Sequence, residues 1–231
     1  NLLNMVQLYQ HYYPNVVAEI QAQADAIDLD FLQKDLLRIL YSMKLGTDRI
    51  SQIVLSLRKF SRMDEADFKP VDIHEGIDST LLILQHRLKN KPKYSEIQVI
   101  QNYGNLPLVE CYAGQLNQVF MNILANAIDA IDELNEKRTV AERKENSSQI
   151  TISTSTIDLK WVQIAIADTG VGIPEPIQKQ IFNPFFTTKQ IGKGTGMGMA
   201  ISHQIISEKH CGRLTCFSTP GQGAEFVIHI P

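Results

Sequence analysis

Between residues 192 and 198 every second residue is glycine: Gly192, Gly194, Gly196 and Gly198, with Lys193, Thr195 and Met197 between them. Such a segment makes a poor helix and a poor strand, because glycine loses more conformational freedom on ordering than any other residue. Met199-Ala200-Ile201 follows directly and opens a helical pattern reaching about residue 210. Backbone N–H groups in a loop that feeds a helix N-terminus form a ready anion site. Lys189 and Lys193 add positive charge beside it. A flexible surface linker is the competing reading, and the immediate start of a helix weighs against it.

The first third of the chain has a different character. Leu36, Met43, Ile50 and Leu57 recur every seven residues, with Ile39, Ile53 and Phe60 three further on and Gly46 as the gap. This is a coiled-coil-like seam over 35–60. A helix upstream, from Leu2 to Tyr13, stops near Pro14, and 15–29 form a short helix or connection. Two such helices predict an antiparallel hairpin that pairs into a four-helix bundle; packing within one monomer is the alternative. A polar stretch from Ser61 to Asp67, ending at Phe68-Lys69-Pro70, marks a domain junction. The predicted domains are therefore 1–66 and 67–231. In the second, helices are expected at 73–89 and 113–134, and a mobile loop at 135–148. Strands are expected near 97–101, 107–110, 149–157, 161–167, 213–218 and 224–230. The fold class is α+β: a helical hairpin, then a sandwich of a mixed sheet with helices on one face.

Three more segments carry chemistry. On the long helix, Asn122 and Asn126 lie four apart and project from one face, beside Val119, Ile123 and Ala127. An amide oxygen suits a hard cation such as Mg²⁺, although taken alone the pair reads better as surface asparagines. Asp168-Thr169-Gly170-Val171-Gly172 follows a strand, where a carboxylate can accept a hydrogen bond from an exocyclic amine and glycines let backbone approach a flat ring. Taken alone, that turn is commonplace. Phe182-Asn183-Pro184-Phe185-Phe186-Thr187-Thr188-Lys189 combines an apolar anchor with a polar end facing the glycine segment.

Asparagine helix, aspartate–glycine turn, phenylalanine segment and glycine loop, in that order over 118–200, closely resemble the four nucleotide-binding boxes of sensor histidine kinases, members of the GHKL ATP-binding superfamily. Thr219-Pro220-Gly221-Gln222-Gly223-Ala224-Glu225-Phe226 is similar to the family's closing turn and strand, and Leu57-Arg58-Lys59-Phe60 to its second hairpin helix. The resemblance implies ATP and Mg²⁺ as cofactors. Under it Asn126 coordinates the metal and Asn122 supports the phosphates. Asp168 reads the adenine amine, with Gly170 and Gly172 lining the base pocket. Phe182 and Phe185 anchor a lid, and Gly194, Gly196 and Gly198, with Thr195 and Lys193 between them, wrap the phosphates. Lys189 and Thr188 stand at the lid's edge. Gyrase- and MutL-type ATPases of the superfamily carry a glutamate base one turn before the metal asparagine; here that position is Asn122, which cannot act as a base. Phosphoryl transfer, where positioning and charge neutralisation do most of the catalysis, suits the site better than hydrolysis.

The family's acceptor is a histidine on the first hairpin helix, followed by an acid and, five positions on, by proline. None of the six histidines fits: His11 precedes Tyr12-Tyr13-Pro14, and His74-Glu75 has Ser79 where proline belongs. The sequence reads as a fragment whose acceptor lies upstream of Asn1 and which cannot phosphorylate itself. Its expected partners are ATP and ADP, a second copy of the chain through the hairpin, and a response-regulator receiver domain. The net charge of −3, from 22 basic and 25 acidic residues, gives no case for nucleic acid. Three cysteines without a CxxC pair point to a reduced, cytoplasmic setting, and no apolar run predicts membrane contact by these residues. A signalling scaffold that binds nucleotide without kinase activity, and a GHKL ATPase, are the alternative functions.

Overall fold

The computed structural model describes residues 2–13, 17–28, 31–32, 35–36, 38–44, 46–47, 67–89, 96–139, 142, 146–158, 160–189 and 195–231. The chain divides into two units, Asn1–Val54 and Leu55–Pro231. The junction expected from Ser61 onward lies outside the described residues as far as 66, as do the seam positions Ile50, Ile53, Leu57 and Phe60. In the first unit, α1 (Leu2–Tyr12) ends with Tyr9 and Tyr13 stacked 5.0 Å apart, and α2 (Ala18–Ala26) follows. Residues 38–44 are helical as well. The described seam residues are far from buried: Leu36 is 44% exposed, Ile39 47% and Met43 63%.

The second unit begins with β1 (Phe68–Val71), a strand at the point where the sequence pattern marks only a junction. It pairs antiparallel with β3 (Val109–Tyr112) as a separate ribbon, with Pro70 opposite Glu110. Proline lacks a donor and is tolerated in a strand at such an edge. Between them lie α3 (Ile73–Lys89) and β2 (Gln98–Tyr103). β3 runs directly into the long helix α4 (Ala113–Lys137). Its residues Leu116, Val119, Phe120, Ile123, Leu124, Ala127, Ile128 and Ile131 are all buried, at the three- and four-residue spacing of one helical face. The helix outlasts its expected end, because Asn135 is buried and donates to Ser148 Oγ at 2.9 Å.

The remaining elements are β4 (Gln149–Thr156), β5 (Val162–Asp168), the short α5 (Glu175–Gln178), α6 (Gly198–Gln204), β6 (Arg213–Thr219) and β7 (Gly223–Ile230). Five strands form one sheet in the order β2-β4-β5-β7-β6. β2 is parallel to β4 and the other pairs are antiparallel, so the sheet is mixed as expected. The register aligns Ile152, Ile166, Phe226 and Cys216 in one row, and Thr154, Ile164, Ile228 and Leu214 in the next. These rows pack with the apolar faces of α3 and α4 in one core. The row at the sheet's end is Ile150, Asp168, Ala224 and Ser218. A carboxylate therefore stands on the core-facing side of the sheet.

α6 ends in a single π turn, Ile205–Lys209, closed by His210. His210 is buried; its Nε2 accepts from the Tyr112 backbone N–H at 3.0 Å, so its Nδ1 donates to the Ile205 carbonyl at 2.9 Å. Burial lowers its pKa against the raising effect of that carbonyl bond. A neutral imidazole thus ties the end of α6 to the start of α4. Among the described residues no helix is long and apolar enough to cross a membrane.

Ile164 is fully buried in the central strand. Ile164→Ala removes three methyl(ene) groups and leaves a cavity, and is expected to lower unfolding free energy by about 3 kcal/mol, against about 1 for Ile164→Val. Urea unfolding of the three proteins checks this; equal midpoints would show that this row is not core.

Candidate functional site

The site forms where the C-terminal end of β5 meets the polar side of α4. Asp168, the last residue of β5, is 8% exposed. Its Oδ1 accepts the Gly170 N–H at 2.7 Å. Burial raises its pKa to about 6, against the lowering effect of hydrogen bonds from the Gly170 and Ala224 backbones. The turn after it is strapped on both sides. Val171 N donates to the Ala130 carbonyl of α4 at 3.3 Å, and Gly221 N donates to the Val171 carbonyl at 2.8 Å. Gly172 has φ +71, and a Cβ there would lie 2.2 Å from the Thr219 carbonyl oxygen. Only glycine fits that left-handed, crowded position. Ser218 and Gln178, which nothing local in the sequence singles out, complete the clamp: Ser218 Oγ accepts from Ile173 N at 2.7 Å, and Gln178 Nε2 donates to the Ile173 and Ser218 carbonyls.

The two asparagines of α4 take different surroundings. Asn122 Nδ2 donates to the Gly198 carbonyl and to Ser202 Oγ, both at 3.0 Å. Its amide hydrogens hold the first turn of α6 against α4. One turn on, Asn126 Oδ1 accepts from Lys189 Nζ at 3.0 Å, and the same ammonium group lies 2.5 Å from Asp129 Oδ2. The other oxygen of Asp129 accepts a close hydrogen bond from Arg87 of α3. Burial pushes the Asp129 carboxyl up, but Lys189 and Arg87 together outweigh it and hold it below the usual carboxylate range. Neither Asp129 nor Arg87 was anticipated. An acid three residues after Asn126 on an amphipathic helix looks like solvated surface until its partners, distant in sequence, are brought in.

The phenylalanine segment needs a correction. Phe182 packs against the core and lies 5.0 Å from the His203 ring of α6. Phe185, expected as a second anchor, is 76% exposed. Its φ is +65, and its backbone runs so close to Gly196 that a Cβ on that glycine would sit 2.5 Å away. The left-handed turn sends the ring outward. Gly196, itself at φ +65, thereby brings the start of α6 against this segment. Thr188 is exposed beside Lys189, and Thr195 Oγ1 accepts from Met197 N. Lys193 and Gly194 lie outside the described residues.

The donor set fits a metal held mainly by a ligand's own phosphates. Among the described residues no cluster of three or more histidine, cysteine or acidic side chains could hold a metal. Asn126 offers one hard oxygen already engaged with a cation, and Mg²⁺ typically takes few protein oxygens and fills its sphere with phosphate and water. The buried Asp168 and the cradle at Gly172 fit a flat base with an exocyclic amine.

A family model described as histidine kinase-, DNA gyrase B-, and HSP90-like ATPase matches residues 112–231. The chain is 31% identical over 205 residues to the two-component sensor PprA of Pseudomonas aeruginosa, covering 89% of this chain and 20% of that protein. It is 32% identical over 185 residues to the signal transduction histidine-protein kinase AtoS of Escherichia coli, covering 80% and 27%. The catalytic domain of the histidine kinase ThkA matches with a TM-score of 0.57 at 27% identity, covering 71% of this chain and 95% of that one. The chain thus spans a fifth to about a quarter of the length of the two sensor proteins.

Asp168 also makes the site sensitive to pH. A carboxyl whose pKa rises from 3.8 to about 6 on folding costs nothing while protonated below 3.8. The cost grows as pH climbs through this window and is complete above 6, at about 3 kcal/mol. Ligand-free Asp168→Asn should match the parent protein in urea unfolding near pH 4 and exceed it by up to about that amount at pH 8. A constant difference across that range would show that the carboxylate is not strained by burial.

Proposed function

Since the chain belongs to the histidine kinase-, DNA gyrase B-, and HSP90-like ATPase family and its relatives are sensor histidine kinases, we propose that it binds Mg²⁺-ATP and delivers the γ-phosphoryl group to a histidine outside residues 1–231. The observation that carries this reading is the pairing of a buried acceptor, Asp168, with a polar strip on α4 that ends in a cation-bearing oxygen, Asn126. Asp168 accepts the exocyclic amine of adenine, and the recognition is selective because a buried carboxylate left without that donor is costly. Gly170 and Gly172 keep the wall of the base pocket at backbone height. Asn126 would offer its amide oxygen to a Mg²⁺ ion carried by the phosphates, and that ion would supply charge neutralisation; the transfer itself would exchange the P–O bond to the β-phosphate for a P–N bond to imidazole. Gly196 and Gly198 enclose the phosphates from the loop side, the same role is assigned from the sequence to Lys193 and Gly194, and Phe182 packs against His203 of α6.

Asn122 bears on which reaction follows. Its amide hydrogens are committed to Gly198 and Ser202, so the position supplies the geometry of α6 and offers no base to activate water. This favours transfer over hydrolysis and leaves the ATPase reading second. We assign 1–66 to a dimerisation hairpin and 67–231 to the nucleotide-binding domain. The exposure of Leu36, Ile39 and Met43 supports a second copy of the hairpin as their cover, since an apolar seam of this spacing is stable only when buried. A response-regulator receiver domain is the proposed destination of the phosphoryl group.

The test is incubation with γ-labelled ATP and Mg²⁺, of residues 1–231 and of a version extended at its N-terminus to include a histidine-acid motif. Acid-labile, alkali-stable label on the extended chain alone, abolished by Asp168→Asn together with nucleotide binding, is the expected result. Free phosphate without protein label would instead make the chain an ATPase, and binding with neither product would make it a scaffold.

A further inference from the structure

Lys189 stands at the end of the phenylalanine segment, where the sequence would send it toward a phosphate. Its ammonium group is instead shared by two oxygens of α4, Asn126 Oδ1 at 3.0 Å and Asp129 Oδ2 at 2.5 Å. These residues are three apart, so their side chains meet on one face of the helix. Arg87 grips the second oxygen of Asp129 from α3 and fixes the carboxylate in place. The amide oxygen assigned above to the metal is therefore already bonded to a cation that belongs to the chain. Mg²⁺ binds oxygen at about 2.0–2.1 Å. An ammonium ion held on that same oxygen would lie a few ångströms from a dication, in a half-buried place where like charges repel more strongly than in water.

We propose that Asp129 is a positioning residue which parks the Lys189 ammonium on the metal's oxygen, so that entry of a metal–nucleotide complex exchanges one cation for another and releases the segment carrying Lys189. This rests on the nucleotide-binding reading above. The exchange makes lid release depend on the metal and not on the base or sugar: a nucleotide without metal can fill the Asp168 side of the site while Lys189 stays on Asn126. Once Lys189 is displaced, Asp129 keeps Arg87 as its partner.

The test compares dissociation constants for AMPPNP, measured by calorimetry with Mg²⁺ and with EDTA, and takes the ratio of the metal-free value to the metal-bound one. Asp129→Asn keeps the side chain's size but loosens the hold on Lys189. The metal-bound complex then forms at less cost, and the ratio is expected to rise about three- to fivefold, the scale of a half-exposed ion pair. The same substitution in a Lys189→Met background should not raise it. A carboxylate that merely repels phosphate would lower the ratio, since its removal helps the more highly charged metal-free nucleotide more, and a carboxylate that ligates the metal would lower it too. An unchanged or lower ratio for Asp129→Asn, or an equal rise in both backgrounds, overturns the proposal. Should Asp129→Asn fail to fold, Lys189→Met alone, on an exposed segment, must raise the ratio, and an unchanged ratio there overturns it. Failure of the unaltered protein to bind AMPPNP under either condition would instead refute the nucleotide-binding reading itself.

Discussion

One helix, Ala113–Lys137, has to satisfy two solvents at once, and the rest of the structure follows from that demand. Its apolar stripe from Leu116 to Ile131 must be removed from water, and the sheet row of Ile152, Ile166 and Phe226 provides the complementary surface. Burial of a stripe fixes the helix's rotation about its own axis. Once rotation is fixed, Asn122, Asn126 and Asp129 have only one direction in which to point. The precision of the polar strip is thus inherited from apolar packing, as expected for a site built on a rigid element. Loops then attach to that strip: Val171 through the Ala130 carbonyl, the start of α6 through Asn122, and Lys189 through Asn126 and Asp129.

The same packing works against Asp168. The sheet register puts it in a row with Ile150 and Ala224, on the side of the sheet that faces the core. Two backbone donors soften the burial without cancelling it. The structure therefore keeps a charged group where a neutral one would be more comfortable, which is the usual mark of a group retained for a ligand and not for the fold.

Much of this arrangement was legible in the chain itself, for reasons particular to each segment. Glycine alternation, an asparagine pair at helical spacing and an acid at a strand end are local patterns, and their order along the chain restricted the reading further. The mixed sheet and its helical cover followed from strand alternation and helix periodicity. What escaped were contacts between distant residues. Asp129 takes its meaning from Arg87 and Lys189, 42 and 60 positions away. Phe185 looked identical to Phe182 as a residue type, and only its left-handed backbone turns it to solvent. β1 hid behind Pro70 and a polar run, because a strand of four residues on an edge leaves almost no periodic signal. The hairpin seam was read from spacing, and half of it lies outside the described residues.

The sheet's one parallel pair has a kinetic meaning. β4 with β5, and β6 with β7, are hairpins or near-hairpins whose ends meet through short connections. β2 joins β4 only across residues 104–148, which contain β3 and the whole of α4. Closing a loop of that length is entropically opposed until contacts inside it compensate. The order of assembly that topology favours is therefore hairpins first, then the long helix against them, and β2 last. On that route the edge of β4 that β2 covers in the finished sheet stays open until the last step, which gives a partly folded chain an additional edge for pairing with a neighbour.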